Sequence, residues 1–97
     1  MKVLLHPMAD AEFADAVEFY ESRRPGLGDR FYRETLHALD WIAKNPDTPR
    51  LRQGYRRVNL PVFSHYITYI IMPNLVWVVC VAHAHRKPEY WMHRLSQ

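Results

Sequence analysis

The stretch YRRVNLPVFSHYITYIIMPNLVWVVCVAH, residues 55–83, decides the fold. Its apolar residues follow the spacing of strands over Tyr55 to Leu60, Phe63 to Met72 and Leu75 to His83. Pro61 marks the first reversal, and Pro73-Asn74 predicts a two-residue hairpin, because Pro presets one turn dihedral and Asn tolerates a positive one. The last strand is apolar at both alternate sets of positions, so we expect it in the middle of the sheet.

The residues before this stretch predict one short strand and two helices. Lys2 to His6 has the composition of a strand. Apolar residues recur at three- and four-residue steps from Ala9 to Tyr20 and again from Leu27 to Ile42, which is typical of amphipathic helices. Arg24-Pro25-Gly26 separates the two patterns. The order predicts an α+β fold, with an N-terminal strand, a two-helix hairpin and a three-stranded antiparallel meander in one curved sheet.

Length and composition indicate a single globular domain over residues 1–97. The chain is 48 % hydrophobic and 24 % charged, which is ordinary for a protein that folds. Its longest apolar run, Leu75 to Ala82, is too short for a membrane span, and no signal-peptide pattern precedes it. Cys80 is the only cysteine and lies inside that run, so we expect it to be buried. We therefore expect a cytoplasmic protein.

The charge is distributed unevenly along the chain. Residues 1–49 contain six basic and nine acidic side chains, whereas residues 50–97 contain seven basic side chains against Glu89 alone. Such a field favours an anionic partner, either nucleic acid or an acidic protein segment, although it also serves solubility.

A series of short motifs runs along nearly the whole chain. These are His6-Pro7 with Ala9 and Ala11, Phe19-Tyr20-Glu21, Arg24-Pro25-Gly26-Leu27-Gly28 with Phe31, Ile42-Ala43-Lys44-Asn45-Pro46, Arg56-Arg57, Tyr66-Ile67-Thr68-Tyr69, Ala82-His83, and Arg86-Lys87-Pro88-Glu89-Tyr90-Trp91 with Arg94. In this order and spacing they resemble the RelE/ParE toxin superfamily, and more closely its ParE-like, plasmid-stabilisation branch.

The resemblance implies the toxin of a type II toxin–antitoxin module, held inactive in an oligomeric complex by a co-encoded antitoxin. ParE-like members poison DNA gyrase, whereas RelE-like members cleave messenger RNA on the ribosome. A third alternative is a remnant that binds its antitoxin without toxicity. The fold cannot choose between a binding protein and an enzyme.

The ribonuclease alternative needs a general base, cations for the phosphorane and a general acid. The candidates are Arg56, Arg57, His83, His85, Arg86 and Tyr90. Adjacent strand residues point to opposite faces, so only one of Arg56 and Arg57 can line a given surface. The lysines of the RelE branch are missing from the second strand, which favours the ParE-like alternative. No third ligand accompanies His83 and His85, so we expect neither a metal nor a cofactor.

For a protein target we expect one exposed surface of cations and aromatic rings: Arg56, Arg57, Arg86, Lys87, Tyr90, Trp91 and Arg94. The alternative for Trp91 is that it folds back over the sheet. Phe19 and Trp41 lie off the buried helical stripes, so we expect an antitoxin segment to cover them, unless they pack within the monomer.

Overall fold

The computed structural model describes residues 1–96; Gln97, the last residue of the expected domain, lies outside them. The elements are β1 (Lys2–Leu5), α1 (Pro7–Arg23), α2 (Leu27–Lys44), β2 (Arg56–Leu60), a first 3₁₀ turn (Pro61–Phe63), β3 (His65–Met72), β4 (Leu75–His83) and a second 3₁₀ turn (Met92–Ser96). This order confirms the predicted α+β fold. Phe63 was expected in a strand, but Pro61 initiates a 3₁₀ turn there, and β3 therefore begins two residues later.

The four strands form one mixed sheet in the order β1-β4-β3-β2. The β2-β3-β4 meander is antiparallel, and β1 pairs parallel to β4. The strand predicted to be central, β4, lies between β1 and β3, and most of its side chains are buried. Within β4, Cys80 pairs with Thr68 and Val78 pairs with Tyr69, so Val79 is the extra residue of a β-bulge.

Strand β1 covers only the first part of the β4 edge. Its last backbone bond runs from His6 N to Val78 O at 2.8 Å. Pro7 has no amide hydrogen and begins α1, with the His6 side chain accepting from Met8 N at the helix start. The edge of β4 beyond Val78 therefore needs hydrogen-bond partners from elsewhere in the chain.

The two helices pack closely where α2 begins. A Cβ atom on Gly28 would lie 2.5 Å from the Val17 carbonyl oxygen of α1, so only glycine allows this approach. The Glu21 carboxylate accepts from Gly26 N and Gly28 N at about 3 Å, which satisfies amides at the start of α2. Gly26 adopts a φ of 89°, a conformation that favours glycine.

The sheet has a separate apolar core on each face. The helices cover one face, where Phe31, Ile42 and Ile67 are fully buried. The residues after β4 cover the other face, where Trp91 packs with Tyr55 and Tyr66. We call residues 84–96 the C-terminal segment.

A second apolar stripe of α2, which includes Tyr32 and Leu36, is only partly covered by α1. Tyr32 stacks on Phe13 with ring centroids 5.5 Å apart, yet 45 % of Tyr32 and 40 % of Leu36 remain exposed. Part of this apolar surface of α2 therefore stays open to solvent.

Candidate functional site

Glu12 of α1 connects the helices, the central strand and the C-terminal segment. Its carboxylate receives two hydrogen bonds from the Arg94 guanidinium at 3.0 and 3.1 Å, one from the Val81 amide at 3.1 Å and one from the Tyr90 hydroxyl. Arg94 also donates to Val79 O at 3.0 Å. The pair thus satisfies the part of the β4 edge that β1 leaves open.

The ion pair of Glu12 and Arg94 stabilises the fold, because Arg94 is buried and is not available to a partner. Arg94 is 2 % exposed, although it was expected to lie with four other cations, Arg56, Arg57, Arg86 and Lys87, on one exposed surface. Burial alone lowers the pKa of a guanidinium, but the hydrogen bonds and charge of Glu12 outweigh that effect and raise the pKa of Arg94. Removing either partner would leave a buried charge without compensation.

The rings of the C-terminal segment also face inward. Trp91 is 1 % exposed and donates its indole N–H to the Tyr66 hydroxyl at 2.9 Å. Tyr90 is half-buried, and burial together with the Glu12 hydrogen bond raises its pKa. The expectation that Trp91 and Arg94 belong to one exposed surface is wrong, because both side chains anchor the segment to the sheet.

The two arginines of β2 lie on opposite faces of the sheet, as the strand geometry predicts. Arg56 donates to the carbonyl oxygens of Asp47 and Pro49 at 3.2 and 2.7 Å, so it holds the connector before β2. Arg57 lies over the Tyr66 ring, with its guanidinium carbon 3.8 Å from the ring centroid. These two cations therefore cannot act at one surface together.

Arg86 and Lys87 remain exposed at the start of the C-terminal segment. The Arg86 guanidinium carbon lies 3.9 Å from the centroid of the Tyr90 ring, and one of its nitrogens is 4.0 Å from Glu12. Of the expected target surface, the described residues thus leave Arg57, Arg86, Lys87 and part of Tyr90 accessible.

A cleft of about 280 Å³ opens between α1 and the end of β4. We call it the Phe19 cleft, and its lining residues are Glu12, Asp15, Ala16, Phe19, His65, Val81, His83, Arg86 and Tyr90. Phe19 also lines an adjoining cleft with Val62 and Ser64. The Phe19 ring is 48 % exposed, which agrees with its position off the buried stripe.

Trp41 is 41 % exposed but lines neither of these two clefts. The structure therefore does not bring it together with Phe19. A single short peptide segment in the Phe19 cleft would not cover both rings.

Three histidine rings line up beside this cleft. The His65 and His83 centroids are 5.0 Å apart, and those of His83 and His85 are 4.7 Å apart. His83 Nδ1 accepts from the His85 amide at 3.0 Å, which agrees with a hydrogen-bonded structural role. Among residues 1–96 no group of three or more His, Cys, Asp or Glu side chains has the geometry of a metal site.

His65 is buried against the aromatic core. Its Nδ1 lies 3.0 Å from both the Phe63 carbonyl oxygen and the Tyr20 hydroxyl. Burial lowers the pKa of His65, and the charge of the neighbouring His83 lowers it further. The hydrogen bond to the Phe63 carbonyl and the charge of Glu12 raise this pKa but do not outweigh burial.

Cys80 is fully buried as expected, and burial raises the pKa of its thiol to about 12.

Sequence reasoning missed Glu12, Asp15 and His65 as residues of this site. Neither acid belongs to the apolar stripe from Ala9 to Tyr20 from which α1 was predicted. Two features of the sequence could have indicated them. Glu12 and Asp15 are three residues apart on one helix, and residues 50–97 contain seven basic side chains but only one acidic side chain, so acids of the first half are available as their partners.

A family model described as "ParE toxin of type II toxin-antitoxin system, parDE" matches residues 3–88. The chain belongs to this toxin family. The resemblance drawn from the sequence motifs is therefore confirmed, and the protein is a toxin of the ParE family. Comparison with curated protein sequences gives no match.

The fold of this ParE-family chain is also found in a solved structure. The "Chromosomal ParDE TA system from P. aeruginosa" aligns with a TM-score of 0.75 over 88 % of this chain and 97 % of that chain. The two sequences are 11 % identical, so the likeness concerns the fold alone. Within residues 1–96, neither helix is long and apolar enough to cross a membrane.

Replacing Glu12 tests the buried ion pair. We expect Glu12→Gln to lower the free energy of unfolding by about 3 kcal/mol, because Arg94 then lacks its counter-charge in a buried site. Urea denaturation measures the change. The control is Asp10→Asn at an exposed position of the same helix, which should stay within about 0.5 kcal/mol of the parent chain. Equal loss in both variants would contradict a structural role for the pair.

The lowered pKa of His65 predicts a pH dependence of stability. The unfolded chain binds a proton at this histidine near its ordinary pKa of 6.5, whereas the folded chain resists protonation, so stability falls as the pH drops below 6.5. His65→Asn should reduce the difference in free energy of unfolding between pH 7.5 and pH 5. The exposed substitution His37→Asn should leave that difference unchanged. An unaltered difference in His65→Asn would refute the assignment.

Proposed function

We propose that this ParE-family chain inhibits growth by binding a protein target, with DNA gyrase as that target, and that a co-encoded antitoxin neutralises it. The single observation that carries a binding function is the half-exposed Phe19 ring, which lines an open cleft. A protein segment can bury an apolar side chain in such a cleft. Assembly with an antitoxin is also supported by the ParDE system whose fold this chain shares.

The same cleft is poorly suited to phosphodiester cleavage. Asp15 lines it, and its carboxylate repels a phosphate, whereas the Glu12 carboxylate is neutralised by Arg94. Among the ribonuclease candidates, Arg57 is on the far face of the sheet from His83 and cannot stabilise a phosphorane there. The Tyr90 hydroxyl is bonded to Glu12, and its raised pKa makes it a weak acid.

One arrangement supports a second candidate function, the ribosome-dependent endoribonuclease. His65, His83 and Arg86 line one cleft, so a base, an acid and a cation are present together. Under this alternative His83→Ala would abolish toxicity and message cleavage. Under the gyrase proposal it would leave growth arrest intact.

Expression of the chain alone separates the proposals. Growth arrest is expected, together with gyrase-dependent DNA damage in cells and inhibition of purified gyrase. Loss of intact message at ribosomes without gyrase inhibition would favour the endoribonuclease. Unimpaired growth with folded protein would favour the non-toxic remnant.

A substitution of Phe19 tests whether the antitoxin binds in the Phe19 cleft. We expect Phe19→Asp to weaken binding of the product of the neighbouring open reading frame by about 30-fold or more, because a central aromatic anchor is replaced by a charge. Co-expression should then no longer restore growth. The control is Leu51→Asp at a position 58 % exposed and outside the cleft. Equal weakening by both substitutions, or by neither, would contradict the assignment of the cleft.

A further inference from the structure

Among residues 50–96, four basic side chains have no acidic side chain as an ion-pair partner. In α2, the cations Arg30, Arg33 and Lys44 each pair with an acid one turn away. After residue 49, Arg56, Arg86 and Arg94 pair with acids of the first half. Within residues 1–96 no acidic side chain lies within 4.0 Å of the remaining cations of this half, which are Arg50, Arg52, Arg57 and Lys87.

Arg57 is held in a fixed orientation among these cations. The central carbon of the Arg57 guanidinium lies 3.8 Å from the centroid of the Tyr66 ring. The Arg57 Nε donates a hydrogen bond to Asn59 Oδ1 at 2.9 Å. In the described part of the chain its two terminal nitrogens have no hydrogen-bond acceptor. A guanidinium that is positioned in this way presents a planar pair of donors, which suits the two oxygens of a phosphate.

Arg57 lies on the same face of the sheet as Tyr55, because Arg57 stacks on Tyr66 and both tyrosines pack in the core around Trp91. Arg52 precedes Tyr55 by three residues. The backbone amide of Arg52 donates to Tyr55 O at 2.8 Å, which turns the connector back toward β2. Burial and Glu89 raise the pKa of Tyr55, and the charges of Arg52 and Arg57 both oppose that rise. Lys87 precedes Glu89 by two residues, and the Glu89 carboxylate accepts a hydrogen bond from the Tyr55 hydroxyl at 3.3 Å. We call Arg52, Arg57 and Lys87 the cationic face.

The aromatic rings beneath the cationic face offer no apolar anchor to a partner. The rings beneath it are buried, since Tyr55 is 7 %, Tyr66 is 4 % and Trp91 is 1 % exposed. An acidic peptide generally needs an aromatic or aliphatic pocket for stable binding, and the clefts that offer one border α1. A phosphodiester backbone needs cations only.

We propose that the cationic face binds the phosphodiester backbone of duplex DNA. The choice of DNA over RNA rests on the proposed function, because gyrase holds its duplex substrate while the toxin acts. Arg57 donates hydrogen bonds to one phosphate through its terminal nitrogens, and Arg52 and Lys87 neutralise neighbouring phosphates. Such contacts are independent of base sequence and weaken steeply with salt. The chain therefore contacts gyrase and the DNA that gyrase holds.

Fluorescence anisotropy with a labelled 30-base-pair duplex of mixed sequence tests the proposal on the purified full chain. Affinity should fall as salt rises. We expect Arg52→Ala/Arg57→Ala to raise Kd by about ten-fold and to reduce the slope of log K against log salt by about 2. The matched control, Arg30→Ala/Arg33→Ala on α2, makes the same change in net charge and should alter Kd less than two-fold.

A second pair, Arg52→Ala/Lys87→Ala, leaves the Arg57 stack on Tyr66 intact and should also raise Kd several-fold, so the test survives if the first pair disturbs folding. Equal loss in the α2 control would overturn the proposal, since net charge alone would then explain binding. Tighter binding of single-stranded RNA or of a polyglutamate peptide than of duplex DNA would also overturn it.

The failure of this proposal is distinguishable from failure of the proposed function. Gyrase inhibition by a chain without DNA affinity would reject the cationic face alone. DNA affinity in a chain that neither arrests growth nor inhibits gyrase would reject the toxin proposal alone.

Discussion

The buried pair of Glu12 and Arg94 is the constraint on which the rest of the structure depends. Strand β4 continues past the end of β1, and the bulge at Val79 leaves backbone groups of its edge without a strand partner. A carboxylate from α1 and a guanidinium from the second 3₁₀ turn satisfy the Val81 amide and the Val79 carbonyl and also neutralise each other. Two segments 82 residues apart are thereby fixed to the central strand.

This constraint separates two surfaces that differ in chemistry. With the C-terminal segment fixed, Trp91 covers the second face of the sheet. On the same face Arg57 stacks on the Tyr66 ring. On the other side Glu12 and Tyr90 become walls of the cleft around Phe19. An apolar cleft flanked by carboxylates and a face of unpaired cations suit different partners. Under the two proposals above, the Phe19 cleft would bind the antitoxin segment and the cationic face would bind duplex DNA, so each surface would serve a different partner.

The sequence predicted the elements because their signals are local. The alternation of β4, the proline-bounded turns and the helical spacing of α1 and α2 each depend on neighbours within a few residues. The burial of Trp91 matches the alternative that it folds back over the sheet, but the burial of Arg94 was not predictable in this way, because a basic, aromatic tail resembles a binding surface until its partners are known. Those partners, Glu12 and Tyr66, are distant in sequence. The placement of His65 was missed for the same reason, since its contacts with Tyr20 and His83 join β3 to two other elements, α1 and β4, through residues that are distant in sequence.

Hydrogen exchange at two protons reports most directly on whether Glu12 and Arg94 hold the C-terminal segment on the sheet. The Val81 amide and the Trp91 indole N–H should both exchange far more slowly than in an unfolded peptide, because both are bonded inside the structure. In Arg94→Met, both protons should exchange about 100-fold faster, while the Phe31 amide in α2 changes much less. An indole proton that already exchanges at the free rate in the parent chain would contradict the structure described above.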